Sequence, residues 1–70
     1  MNTKLLLIDA LRKKYEAEIA DAYASATIYL DSSVGIGEHP QFVEELSKLI
    51  NKISSADDNI NTLNKYFTDK

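Results

Sequence analysis

The stretch from Phe42 to Phe67, FVEELSKLINKISSADDNINTLNKYF, decides the architecture of this chain. Its apolar residues Phe42, Leu46, Leu49, Ile53, Ala56, Ile60, Leu63 and Phe67 recur in unbroken 4-3-4-3-4-3-4 steps. A helix turns once every ~3.6 residues, so strict alternation of four and three keeps one narrow stripe aligned along a partner helix, which is a heptad seam. Nearly everything off the seam is polar, including Glu44, Glu45, Lys48, Asn51, Lys52, Asp58, Asn61 and Asn64. That outer face belongs to water. The segment reads as an amphipathic helix packed lengthwise against another helix.

The partner helix lies upstream. From about Thr3 to about Asp31 the chain is rich in Ala, Leu, Lys and Glu and holds no Gly or Pro, and either Asn2 or Thr3 can cap its start. The connector, about residues 32–39, carries both glycines, Gly35 and Gly37. Pro40 suits the first turn of the next helix, with His39 as its cap and an end near Tyr66. The expectation is an all-α antiparallel helical hairpin, coiled-coil-like, forming one domain over residues 1–70.

Antiparallel helices face each other at positions whose numbers have a constant sum, and a sum of 71 or 72 matches the two seams throughout. Tyr29 meets Phe42, Ala26 meets Leu46, Ala22 meets Leu49 and Ile19 meets Ile53. Farther out, Tyr15 faces Ala56, Leu11 or Arg12 faces Ile60, Ile8 faces Leu63 and Leu5 faces Phe67. Large residues oppose small ones at three layers, which keeps volume even along the seam. The same register predicts Glu18 near Lys52, and the basic trio Arg12-Lys13-Lys14 near Asp57 and Asp58. Tyr15 and Tyr29 belong to the seam and Tyr66 closes the far end. Tyr23, which flanks the seam, is expected to pack in the core, with a partner surface as the alternative.

A second apolar stripe distinguishes the first helix: Leu6, Ala10, Ala17, Ala20, Ala24 and Ile28 lie on a different side from the seam. Small side chains let helix backbones approach closely, so this stripe is expected to join two copies in a dimeric four-helix bundle. The plainer reading is that alanine is the best helix former and that these positions face solvent.

Composition narrows the function. A chain of 70 residues buries a smaller fraction of its surface than a larger domain and depends on regular packing or self-association for stability. The absence of Cys excludes disulfides and thiolate metal sites. A mixed net charge of −3 argues against nucleic acid as partner. The apolar run Leu5-Leu6-Leu7-Ile8 is followed at once by Asp9, too short for a signal peptide or a membrane span. An intracellular, cytoplasmic protein without membrane contact is the expectation.

The residues offer little chemistry. His39 beside Glu38 lacks converging ligands for a metal site, and the Glu-x-x-His spacing of bundle-borne metal centres does not occur. Gly35-Ile36-Gly37 lacks the third glycine and the lysine of phosphate-binding loops, and reads as a chain reversal. Asp57-Asp58-Asn59 falls within helical periodicity and lacks the glycine of a calcium loop. No catalytic residue, metal or cofactor is expected. The tip, with Val34, Ile36, Glu38 and His39, is the candidate contact surface for a partner protein.

The segment Val34-Gly35-Ile36-Gly37-Glu38-His39-Pro40, followed by Glu44-Glu45-Leu46, resembles small uncharacterised helical proteins of tailed phages of marine bacteria, notably phages of cyanobacteria. The resemblance implies a short helical protein made in an infected bacterial cell and carries over no catalytic or binding residues. The sequence reading is thus a non-enzymatic protein-binding or adaptor module acting as a homo-oligomer on a larger host or viral protein. The alternative is a structural component of a virus particle or similar assembly.

Overall fold

A computed structural model describes residues 2–32 and 40–67, apart from the side chains of residues 32, 40 and 41. It contains two helices, α1 (Thr3–Ser32) and α2 (Pro40–Tyr66), packed against each other as an antiparallel hairpin. The described residues include no strand. The hairpin is a rod, 53 × 18 × 15 Å along its principal axes.

Asn2 is the cap of α1. Its Oδ1 accepts from the Leu5 backbone N–H at 3.3 Å, and its carbonyl accepts from Leu6 N–H at 3.1 Å, opening the helical ladder. One of the backbone donors that every helix start leaves unpaired, the Leu5 N–H, is satisfied in this way. At the other end the ladder extends one residue past α2, where Phe67 N–H donates to the Leu63 carbonyl at 2.9 Å. Within α1, the Thr27 hydroxyl donates to the Tyr23 carbonyl one turn back at 2.8 Å, a local bond typical of a threonine inside a helix.

The seam closes as its spacing predicts. Ile8, Ala22, Ala26, Ala56 and Leu63 are buried, and Tyr15, Ile19, Tyr29, Phe42, Leu46, Leu49, Ile53 and Ile60 are half-buried. The rings of Tyr29 and Phe42 meet edge to face, centroids 5.0 Å apart and planes at 84°, one of the facing pairs of the expected register. Three of the five buried residues are alanines, each opposite a larger residue in that register. Two helices cover each other from one side only, so a short side chain disappears under its larger neighbour while that neighbour keeps a flank in solvent.

Two expectations are corrected at the margins, and one left open is decided. Arg12, rather than Leu11, takes the more covered position opposite Ile60, its apolar stem serving as seam surface while Nη2 donates to Asn64 Oδ1 on α2 at 2.8 Å. The Leu5–Phe67 layer stays exposed, because a terminal layer has a neighbour on one side only, and Tyr66 beside it is exposed too. Tyr23, read as core, is 66% exposed. It stands one position outside the seam, where a two-helix structure has nothing to lay over it.

The charged groups also pair differently. Among the described residues the ion pairs are Lys13–Asp9 at 3.0 Å, Lys14–Glu18, and Lys48–Glu45 at 3.5 Å, each within one helix. The basic trio therefore does not reach Asp57 or Asp58, and Glu18 bonds Lys14 instead of Lys52. Partners one turn apart are already adjacent, whereas pairing across helices requires two long side chains to be held in one geometry.

Candidate interaction surfaces

The site-bearing features of this hairpin are its exposed apolar side chains, since no polar or charged residue is buried among the described residues. Heptad geometry shows where they lie. On α1 the seam positions are Ile8, Tyr15, Ala22 and Tyr29 with Arg12, Ile19 and Ala26. The row midway round the helix from them, about 180° away, is Thr3, Ala10, Ala17, Ala24 and Asp31. Flanking that row are Leu6, Lys13, Ala20 and Thr27 on one side and Leu7, Lys14, Asp21 and Ile28 on the other.

All six residues of the predicted second stripe, Leu6, Ala10, Ala17, Ala20, Ala24 and Ile28, fall on this back face, and all are exposed. Ile28 keeps 65% of its surface in solvent. The structure thus brings the six together along one side of α1, facing away from α2. Leu7 belongs to the same face; reading it as part of a four-residue apolar run obscured its place at a heptad interval from Lys14, Asp21 and Ile28.

A second surface was missed by reading α2 as polar off the seam. Val43, 68% exposed, and Ile50 stand one heptad apart beside the seam on α2, and Tyr23 and Leu30 do the same on α1. In an antiparallel pair these two rows lie on the same side of the hairpin, so four exposed apolar side chains share one flank in the half toward the connector. The seven-residue intervals 23 to 30 and 43 to 50 were the available signal.

Val34, Ile36, Glu38 and His39, the tip residues named as partner contacts, lie outside the described residues. Among the described residues, no group of three or more His, Cys, Asp or Glu is placed to hold a metal ion. No helix among them is long and apolar enough to cross a membrane. The electrostatics are plain: the Lys14 ammonium is held above its ordinary value of 10.5 by its hydrogen bond to Glu18 and then by the charge of that carboxylate. It also lies over the Tyr15 ring, 5.5 Å from the centroid.

The sequence matches no family model, and neither a curated protein nor a solved structure matches it.

Proposed function

We propose that this chain is a non-enzymatic protein-binding module that works as a homo-oligomer, docking on a larger host or viral protein. The observation that carries the reading is the back face of α1, where Leu6, Leu7, Ala10, Ala17, Ala20, Ala24 and Ile28 form an exposed apolar band along most of the helix. A helix apolar on opposite sides has two neighbours to satisfy, and the hairpin supplies one. A dimer through that band leaves the flank around Tyr23 and Val43 for a different protein. On the resemblance of residues 34–46 to phage proteins, we assign the module to the cytoplasm of an infected bacterial cell.

The experiment is solution mass by sedimentation across a dilution series, with helicity followed on the same samples. The expected result is a discrete dimer at micromolar concentration whose mass and helicity fall together on dilution. Ala20→Glu and Ala24→Glu should each shift the mass toward monomer by placing a carboxylate in the band. A helical monomer at every concentration, unchanged by either substitution, overturns the homo-oligomeric reading.

A structural role in a virus particle is the second reading, favoured by the 53 × 18 × 15 Å shape and a core of five buried side chains among the described residues. A rod with so little interior fits a wedge that gains its cover from a lattice. It would be poorly helical alone, which the same series reads directly.

A further inference from the structure

We propose that two copies of the chain pack back face to back face through α1 in one antiparallel register, with the two-fold axis passing beside Ala17. This inference rests on the homo-oligomeric reading above and names the geometry of the contact. The occupant of the face is a second copy because the face is complementary to itself in charge and in shape.

Consider which residues meet. When the central row of α1 lies on the same row of another copy running the other way, the allowed registers differ by whole heptads. With the axis at Ala17, facing positions have numbers that sum to about 34. Ala10 then meets the partner's Ala24, and Ala17 meets the partner's Ala17. Leu6 and Leu7 at one end meet the partner's Thr27 and the partner's Ile28. Between these, Lys13 and Lys14 meet the partner's Ala20 and the partner's Asp21. By symmetry every contact off the axis occurs twice, apolar end on apolar end and ammonium on carboxylate, as a two-fold interface requires.

The neighbouring registers fail on the same residues. A shift of one heptad in one direction sets the lysine pair against the partner's lysine pair and Leu7 against the partner's Asp21. The opposite shift sets Asp21 against the partner's Asp21 and Ile28 against the partner's Lys14. A parallel arrangement sets Lys13 beside the partner's Lys14 and Lys14 beside the partner's Lys13, with Asp21 left against the partner's Ala20. Like charges so placed are repulsive, and they exclude these alternatives more firmly than the attractive pairs favour the chosen one.

The charged groups are available for this. Asp21 is exposed and makes no ion pair among the described residues. Lys13 is held by Asp9 and Lys14 by Glu18, but both lie on the surface, and an ammonium has three donors, so each keeps capacity for a second carboxylate. The contact from Leu6 to Ile28 spans about 33 Å of helix, at ~1.5 Å per residue. Its centre is lined by alanine, which lets the axes approach about 8 Å, the close end of the usual range.

The absence of cysteine from the natural chain makes the test clean. Single variants Ala10→Cys, Ala17→Cys and Ala24→Cys are made in the full chain and oxidised at the concentration where the parent is dimeric, with Lys48→Cys, on α2, as the background control. Helix Cα atoms lie about 2.3 Å from the axis, so directly facing positions on helices up to about 10 Å apart have Cα atoms within about 5.5 Å, inside the ~6.8 Å reach of a disulfide. The expected result is that Ala17→Cys cross-links to itself, whereas Ala10→Cys and Ala24→Cys cross-link only when the two are mixed. Separately, Asp21→Lys should weaken association by roughly fivefold or more, and adding Lys13→Glu and Lys14→Glu to it should recover most of the loss. Self-cross-linking of Ala10→Cys and Ala24→Cys would show a parallel contact and overturn the proposal. A dimeric mass without cross-links above background at any of the three positions would also overturn it, while leaving the homo-oligomer intact. A monomer at all concentrations removes both.

Discussion

Replacing Ala56 by phenylalanine tests the hairpin register where the structure is least forgiving. Ala56 is 1% exposed, on the seam of α2, and the register sets it opposite the half-buried Tyr15. A phenyl group, which normally occupies about 150–250 Å² of contact surface, would have to displace Tyr15 or push the helices apart. Overpacking of this kind costs about 1–3 kcal/mol. Losing alanine's helix propensity adds roughly 0.5 kcal/mol that has nothing to do with the register. At ~0.05–0.15 kcal/mol per residue the whole chain has a stability of only about 3.5–10 kcal/mol, so the substitution removes a large share of it. A domain of this size shifts its melting temperature by roughly 4–8 °C per kcal/mol. The assay is thermal unfolding followed by helical ellipticity at one fixed protein concentration, since self-association makes the midpoint concentration-dependent. Ser55→Phe, one position round on the exposed side, is the control and should change little. A melting temperature for Ala56→Phe within about 4 °C of the parent, no more than the propensity loss allows, would refute the facing of Ala56 and Tyr15.

Two further outcomes follow from the same geometry. Leu63→Ala removes one of the five buried side chains and should cost about 2–5 kcal/mol, toward the lower value because a two-helix rod can collapse onto the gap; chemical denaturation at constant slope measures it. Lys14 should titrate above its ordinary value of 10.5, and Glu18→Gln should bring it back; side-chain NMR through the alkaline range reads both. Because the folded value is raised, the stabilisation from this pair is fully present below 10.5 and disappears as pH rises through the folded value, so Glu18→Gln should flatten that part of the pH dependence.

The legibility of the fold comes from its periodicity. Eight apolar residues at alternating steps of four and three specify a helix, a face and a partner helix before any coordinate is known. The Tyr29–Phe42 contact could be reached by arithmetic because antiparallel seams admit few registers. The local signals were equally sound at the helix ends: Asn2 caps α1, and Pro40 opens α2. The interaction surfaces were less legible. The alanine band was visible as a second stripe on α1, but the flank of Tyr23, Leu30, Val43 and Ile50 was not, since its members belong to two helices and share a side only once the hairpin closes.

The sequence by itself determined the helices, their antiparallel pairing and which face of each turns inward, because side-chain period and helical pitch are properties of the local chain. Only the tertiary structure decided how completely each seam residue is covered and that Tyr23 and the Leu5–Phe67 layer stay in solvent. Those outcomes depend on how much surface one helix can shade on another. That is set by distances between parts of the chain, and spacing along it does not encode it.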